Sequence, residues 1–371
     1  MYGKPRNPLM LTNKYLKVYK KLMKTSRRGE TIRDFVLAEV EAHGQDLAAH
    51  VAKKIGISRQ AVSKHSKRLV IGGELTAQGN TRHRSYRLRI LAEHEFNYAI
   101  TPGLDEDKAW RLQIAAVLGK LPQNVLDIWN FCFTEMFNNA VDHSEGDKLL
   151  VQMIGTTADT MICLRDNGVG IFRKIQSAMN LLDERHAVLE LAKGKLTTDP
   201  KRHTGQGIFF TSRLLDSFDI WSGGVFFTHK FGFDEDWISE HPGFKSGTCV
   251  MMRLDNRSER IDKGIFDQYS SGEDYGFTKT VVPVRLAQYS EERLISRSQA
   301  KRLLARVDLF KTVVFDCEGV AVIGQAFADE IFRVFARNHS GIELVTMNAL
   351  PQVQQQIQSA RSQLARETGG V

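Results

Sequence analysis

The segment at residues 123–143 constrains the fold most, because two different stripes of side chains run along it at helical spacing. One stripe is apolar and recurs every three or four residues: Leu126, Trp129, Phe133, Phe137 and Ala140. The other is polar and lies on roughly the opposite side: Glu135, Asn139, Asp142 and His143. The apolar stripe predicts a helix packed on a core. The polar stripe is either a solvated face or the wall of a site that uses an acid and an amide.

Three more signals follow this helix in a fixed order. The stretch KLLVQMIGTTADTMICL predicts two strands joined by a turn, and it leads into RDNGVGI at residues 165–171. A glycine-rich turn then opens a helix in HTGQGIFFTSRLLD, residues 203–216, and SGTCVMMRL at 246–254 predicts another strand. Each signal alone is common in loops and amphipathic helices. Their combination in this order is specific.

This set of motifs resembles the GHKL, or Bergerat-fold, ATP-binding domain of histidine kinases, gyrase-type enzymes, a heat-shock chaperone family and anti-sigma-factor kinases. The resemblance covers roughly residues 105–255 and implies an α/β sandwich ATPase domain at 92–255, with a mobile lid at 172–203. It implies ATP and Mg²⁺ as cofactors. The implied nucleotide-binding residues are Asn139, Asp142, Asp166, Gly168, Gly170, Thr204, Gly205, Gln206, Gly207 and Thr248.

The residue types suit these implied roles. The amide oxygen of Asn139 can ligate Mg²⁺, and Glu135 is the expected catalytic residue that orients or deprotonates the attacking water. Asp166 is expected to accept a hydrogen bond from the adenine amino group, and the glycines let the backbone approach the nucleotide. The lid offers three cations for the phosphates, and the sequence does not choose among them: Lys195, Lys201 and Arg202.

Charge is spread unevenly along the chain. Residues 1–91 carry 20 Lys and Arg against 6 Asp and Glu, a net charge of +14. Since the whole chain has a net charge of +8, residues 92–371 sum to −6. A strongly basic end on a mildly acidic protein indicates a polyanionic partner for that end.

The pattern inside the basic end indicates how it meets that partner. Two predicted helices, TIRDFVLAEVEAHG and QDLAAHVAKKIGIS, are followed by a third that begins after Ser58 and ends near Gly72. A predicted two-stranded wing follows in ELTAQGNTRHRSYRLRI. Residues 29–91 therefore resemble a winged helix-turn-helix of bacterial transcription regulators, preceded by a basic segment at 1–28.

That resemblance implies double-stranded DNA as the partner. The residues expected at the DNA are Arg59, Gln60, Ser63, Lys64 and Lys67 in the major groove, with Arg82 and Arg84 along the wing. Arginine and glutamine can read base edges, whereas lysine mostly neutralises phosphate. The alternative is a winged helix used for protein contacts, with a solvated basic face.

A third unit follows a polar stretch at 256–278, which we expect to be a linker. Strand and helix patterns alternate over residues 279–371, which predicts an α/β sheet flanked by helices. Around VVFDCEGVAVIGQAFADEIF this unit resembles STAS-like domains, the fold of anti-sigma-factor antagonists. The expected fold class is thus multidomain α+β: a winged helix-turn-helix, a Bergerat-fold ATPase domain and a small STAS-like domain.

The cysteines and the length of the apolar stretches indicate the cellular compartment. The four cysteines are scattered and predict buried thiols in a reducing compartment. No stretch has the apolar length of a membrane helix, so we expect a cytoplasmic protein without a membrane partner.

We therefore expect an ATP- and DNA-binding transcriptional regulator that slowly hydrolyses Mg-ATP, with a homodimer or a protein partner held through the STAS-like domain. Two alternatives remain open: an anti-sigma-type serine/threonine protein kinase acting on a separate STAS protein, and a nucleotide sensor without turnover. A two-component sensor kinase is not expected, because DEDKAWRLQIAAVLGKLPQN contains no phospho-accepting histidine.

Overall fold

The structure, a computed structural model, describes residues 28–80, 83–196, 205–231, 237–240, 244, 246–270, 277–288 and 293–368. It is a mixed α+β multidomain protein with several sheets, as the sequence predicts. The chain divides into two compact units. The first ends at Ala92 and also includes Gly155–Asp159, and the second comprises the rest of the described chain.

The described residues of the N-terminal unit form three helices and a two-stranded antiparallel sheet. They are helix α1 (Arg28–His43), α2 (Leu47–Ile55), α3 (Arg59–Ile71), strand β1 (Leu75–Gln78) and β2 (Ser85–Leu88). The predicted boundaries are confirmed by the caps. Gly56 ends α2 in the left-handed conformation at φ 71°, and the Ser58 hydroxyl accepts a hydrogen bond from the Ala61 N–H at the start of α3.

The second unit contains a seven-stranded sheet in the order β3-β4-β5-β9-β6-β7-β8. Its strands are β3 (Ile90–Ala99), β4 (Lys148–Thr156), β5 (Asp159–Asp166), β6 (Ser217–Ser222), β7 (Val225–Lys230), β8 (Trp237–Glu240) and β9 (Thr248–Asp255). Its helices are α4 (Gln123–His143), α5 (Ile171–Met179), α6 (Glu184–Lys193), α7 (Gly207–Leu214) and α8 (Asp262–Tyr269). Shorter helical pieces lie before α4: Glu106–Ala109, Trp110–Ile114 and Ala115–Leu118.

Helix α4 follows the two-stripe prediction. Trp129, Phe133 and Phe137 are fully buried in the core, as the apolar stripe predicts. Because these three residues determine which face of α4 packs on the core, the polar stripe of the same helix is directed away from that core.

The C-terminal part of this unit contains a three-stranded parallel sheet, β10 (Lys279–Pro283), β11 (Thr312–Asp316) and β12 (Glu343–Met347). Lys279 is in register with Thr312, and Thr312 with Glu343. Its helices are α9 (Arg297–Leu304), α10 (Gln325–Asp329, continued by Glu330–Phe335 and Ala336–Asn338) and α11 (Pro351–Thr368). The predicted alternation of strands and helices is confirmed.

The stretch at 256–278 differs from the expected linker. It contains α8, and Ile265 and Phe277 are both buried. Phe277 contacts Phe209 and Phe210 of α7, with ring centroids 4.6 and 5.1 Å away. These buried aromatic contacts attach the described parts of the stretch to the core. A linker predicted from polar composition alone does not take such contacts into account.

None of the helices in the described ranges has the length and apolarity that a membrane crossing requires.

Candidate functional site

A cavity of about 260 Å³ opens beside α4 in the second unit. Six residues predicted for the nucleotide site line it together: Glu135, Asn139, Asp166, Gly205, Gly207 and Thr248. They come from α4, the end of β5, the start of β9 and the turn before α7. The rest of the wall is largely apolar and includes Leu164, Ile171, Ile175, Ile220 and Val250.

Helix α4 supplies one wall. Glu135, Asn139 and His143 all line the cavity because their four-residue spacing places them on one helical face. Asp142, which was also expected at this site, is exposed and does not line the cavity. One position before His143, its side chain is turned about 100° around the helix axis.

The Glu135 carboxylate lies against the start of α7. A Cβ atom added to Gly207 would overlap Glu135 Oε2, so glycine is required for this close approach. The first N–H groups of a helix carry partial positive charge. The carboxylate is therefore placed where a helix N-terminus favours negative charge.

Asp166 is buried at the end of β5, with 6% of its surface exposed. Its Oδ1 accepts hydrogen bonds from the Gly168 N–H at 2.9 Å and the Thr248 N–H at 3.1 Å. Burial raises the pKa of Asp166 above its usual value, and these hydrogen bonds oppose the rise. The Thr248 hydroxyl in turn accepts from the Ile171 N–H at 3.0 Å, which ties β9 to the start of α5.

The turn at 167–170 is shaped by glycine, as predicted, although Gly168 and Gly170 do not themselves line the cavity. A Cβ atom on Gly168 would overlap the Ser144 carbonyl, and Gly170 has a φ of 92°. Gln206 precedes α7 and also lies outside the lining, while Thr204 falls outside the described residues.

One residue that sequence reasoning missed is Asn167. Its Oδ1 accepts hydrogen bonds from the N–H groups of Asp147 and Lys148, at 3.1 and 3.0 Å. Those bonds join the turn after β5 to the start of β4. The signal in the sequence was its position inside RDNGVGI, but its partners lie about 20 residues earlier.

Lys174 is a cation at this wall that sequence reasoning also missed. It lines the cavity, donates to the His143 carbonyl at 2.8 Å and pairs with Glu145 at 2.9 Å. Lys195, one of the three expected phosphate contacts, instead donates to the Leu309 carbonyl at 2.7 Å. The other two, Lys201 and Arg202, fall outside the described residues.

The segment expected to form a mobile lid is largely helical. Helices α5 and α6 occupy much of it, and every residue from His186 to Lys193 is buried. Leu191 and Leu196 line the cavity, and the Leu196 N–H donates to the Gly205 carbonyl at 3.0 Å. The described part of this segment therefore packs against the core and forms part of the cavity wall.

A buried ion cluster holds the end of α6. Lys193, with a fully buried side chain, pairs with Glu190 at 2.6 Å and donates to the carbonyls of Arg302 and Ala305 at 3.1 and 2.8 Å. Arg306 pairs with the same Glu190 at 3.1 Å. Burial lowers the pKa of Lys193, and its attraction to Glu190 opposes that shift.

In the N-terminal unit, α3 buries Val62, Ser66 and Leu69 and leaves the predicted DNA-facing side chains on the other side. Arg59, Gln60, Lys64 and Lys67 are exposed, and Ser63 is half-buried. Arg84 lies 5.5 Å from the ring centroid of Tyr86. Arg82 falls outside the described residues.

One family matches part of the chain. Residues 299–354 match the STAS-like domain of unknown function (DUF4325), within the C-terminal part where such a domain was expected. No curated protein matches the chain.

Proposed function

We propose that this protein is a nucleotide-controlled DNA-binding regulator whose cavity beside α4 binds Mg-ATP. One observation carries the proposal: an acid, an amide, a buried aspartate, two glycines and a threonine, spread from residue 135 to residue 248, line a single cavity. A mostly apolar cavity with a few convergent polar groups is typical of a small-ligand site. The order of these residues along the chain supports a GHKL-type reading.

The chemistry of the wall fits the two cofactors. The apolar side chains suit a planar base. Asp166 Oδ1 accepts two backbone N–H groups, and a carboxylate has further acceptor positions that suit an exocyclic amine. Asn139 supplies a hard oxygen ligand for Mg²⁺, which when bound would neutralise phosphate charge. Lys174 adds a cation at the same wall.

Glu135 is the proposed catalytic residue. Its carboxylate faces the start of α7, beside the backbone N–H groups that suit a phosphate. There it would orient a water molecule for attack on the terminal phosphorus and accept the proton that the water loses.

The DNA-binding part of the proposal is supported by the exposed side chains of α3 and by the net charge of +14 on residues 1–91. A helix that buries one face and exposes Arg, Gln and Lys on the other suits a duplex groove. The STAS-like domain is proposed to act by contact, within this chain, in a homodimer or with a protein partner.

The experiment that tests the function uses the purified full chain with Mg-ATP, following free phosphate and phosphoprotein with and without DNA. Phosphate release from the wild type that depends on Glu135 supports the ATPase. Binding without release favours a nucleotide sensor, and phosphorylation of an added STAS protein favours the kinase. Absence of nucleotide binding contradicts the proposal.

A further inference from the structure

Between α1 and α2 of the N-terminal unit, three side chains converge. Glu39 and His43 lie four residues apart on one face of α1, and His50 reaches them from α2. One ligand-type atom from each residue lies within 4.8 Å of the other two. We propose that this cluster is a binding site for a divalent transition-metal ion of the zinc class. The proposal is independent of the nucleotide site.

The main observation concerns one ring nitrogen of His43. His43 Nε2 is buried, and it has no hydrogen-bond partner within the part of the chain that the structure describes. It lies 4.0 Å from Glu39 Oε2, which is too far for a hydrogen bond. Because buried polar atoms are nearly always paired, an orphaned imidazole nitrogen beside a carboxylate points to a missing ligand.

The other nitrogen of the same ring is held. His43 Nδ1 lies 3.1 Å from Asp46 Oδ1, so the ring donates its Nδ1–H to that carboxylate. This tautomer leaves a lone pair on Nε2, the nitrogen that lies 4.0 Å from Glu39 Oε2. Carboxylates commonly orient metal-ligating histidines in this way. Asp46 is thus a positioning residue for His43.

The remaining two ligands are hydrogen-bonded to each other. His50 Nε2–H donates to Glu39 Oε2 at 2.7 Å, and Lys54 donates to Glu39 Oε1 at 3.3 Å. A metal ion at His50 Nε2 would replace that proton, which would move to Nδ1 of the ring. The side chains of Glu39, His43 and His50 are only 15%, 12% and 16% exposed.

The donor set selects the class of metal. Two imidazole nitrogens and one carboxylate oxygen suit Zn²⁺, Co²⁺ or Ni²⁺, whereas Mg²⁺ and Ca²⁺ prefer oxygen ligands throughout. Three protein ligands leave a fourth position for water. A bound ion would link α1 to α2, and because it binds the folded state alone it would stabilise the N-terminal unit.

The competing explanation is a structural network in which His50 and Lys54 only satisfy Glu39, with the two imidazole rings stacked 3.4 Å apart. That explanation accounts for Glu39 but gives His43 Nε2 no partner. It predicts no stoichiometric metal binding.

The test uses tag-free, full-length protein stripped with a chelator and titrated with Co²⁺ and then Zn²⁺. We expect one equivalent of Co²⁺ with visible absorption bands of a four-coordinate ion, displacement by Zn²⁺, and a rise in melting temperature with Zn²⁺. His43→Gln and His50→Gln should each weaken binding by more than about tenfold. His65→Gln, in the same unit but outside the cluster, is the matched control and should bind as the wild type does.

His43→Gln is the most informative variant, because it removes His43 Nε2, which has no hydrogen-bond partner among the described residues. It also removes the hydrogen bond from Nδ1–H to Asp46, which Asp46→Asn weakens without removing the ligating nitrogen. If His50→Gln lowers the helical content, the comparison rests on His43→Gln and on Asp46→Asn, which should weaken binding less. Wild-type protein that binds no Co²⁺ stoichiometrically, or a folded His43→Gln variant with unchanged affinity, overturns the proposal.

Discussion

At the scale of single residues, the cavity contains two carboxylates in different surroundings. Asp166 is buried and accepts two backbone N–H groups, whereas Glu135 lies against a glycine at the start of α7. The first arrangement fixes an acceptor in place, and the second places negative charge beside a helix N-terminus. These surroundings support different roles, and each role can be separated from folding by a suitable substitution.

For Asp166, we expect Asp166→Asn to keep the fold and lose ATP binding. Its Oδ1 can still accept from Gly168 and Thr248, but the other oxygen becomes an NH₂ group that repels the adenine amine. ATP affinity should fall by about tenfold or more, as for a lost specific hydrogen bond in a buried site. Calorimetric titration measures it. Asp166→Ala should in addition lower the free energy of unfolding, by about 1–3 kcal/mol for each N–H left unpaired.

For Glu135, we expect Glu135→Gln to bind Mg-ATP and to release phosphate at least about 10²-fold more slowly, because the amide cannot accept a proton. Asn139→Ala should abolish Mg²⁺-dependent binding itself. Asn130→Ala is the control, since Asn130 is exposed on the same helix and does not line the cavity. Unchanged phosphate release from Glu135→Gln would remove the catalytic assignment and favour a sensor without turnover.

At the scale of elements, helix α6 connects the cavity wall to the C-terminal part of the chain. Leu191 lines the cavity, while Lys193, two residues later, is held by carbonyls of Arg302 and Ala305. The Thr280 hydroxyl donates to the Lys193 carbonyl at 2.7 Å. One short helix therefore carries contacts to both regions.

We expect Lys193→Met to lower the free energy of unfolding by about 3 kcal/mol, near the lower end for a broken buried pair. The cost stays at that end because Arg306 still pairs with Glu190. Lys263→Met, which alters an exposed lysine of α8, should leave stability nearly unchanged. Chemical denaturation of both variants measures the difference. Equal stability of the two would show that the buried cluster contributes little.

Local sequence patterns predicted most helices and strands. They did not predict features that depend on tertiary contacts between distant residues. The helices around Phe133, Val62 and Leu303 are periodic, so the sequence contains their buried faces. Nothing local to Lys193 indicates that it is buried, because its local partner Glu190 is typical of an exposed helical ion pair and the carbonyls that hold it lie about 110 residues later. The cluster of Glu39, His43 and His50 likewise depends on the angle between two helices. The cavity residues were grouped by family resemblance rather than by spacing.

At the scale of the whole molecule, charge is concentrated at one end. With a net charge of +14 on residues 1–91, we expect duplex DNA binding to weaken steeply with salt. Replacing Lys64 and Lys67 with Ala should weaken binding to all sequences and reduce the salt slope by about 2. Arg59→Ala or Gln60→Ala should instead relax sequence preference. A filter or anisotropy titration at several salt concentrations measures both, and no affinity at low salt would contradict the regulator.

The C-terminal part is expected to remain unphosphorylated. In the anti-sigma-factor antagonists that this part resembles, a phospho-accepting serine lies at the start of a helix, and the resemblance implies that this position falls on or beside Gly324 and Gln325 here. No Ser or Thr occurs from Val313 to His339. The amide side chain of Gln325 cannot form a stable phosphate ester as a serine hydroxyl does. Mass spectrometry after incubation with Mg-ATP should find residues 279–371 unmodified. A stoichiometric phosphoserine or phosphothreonine there would restore the kinase alternative.

The contacts of α6 predict that the C-terminal part controls nucleotide affinity from outside the cavity. Arg306 pairs with Glu190 and contacts the carbonyls of Gly194 and Lys195, just before Leu196 of the cavity wall. Arg306→Ala should therefore change ATP affinity by about two- to thirtyfold, the range for a residue that transmits coupling of about 0.5–2 kcal/mol. Arg361→Ala is the matched control, because Arg361 contacts Leu344 and Phe332 within the C-terminal part.

Coupling between two sites is reciprocal, so ATP should also act on the C-terminal contacts. We expect Mg-ATP to alter amide hydrogen exchange around Arg302 and Ala305, whose carbonyls hold Lys193, in the wild type and less so in Arg306→Ala. A loss of stability alone would raise exchange in Arg306→Ala without changing its response to ATP. The coupling is contradicted if Arg306→Ala, like the control Arg361→Ala, binds ATP with wild-type affinity and if hydrogen exchange around Arg302 does not change on ATP addition. In that case α6 has only a structural role, and the C-terminal part does not respond to the cavity.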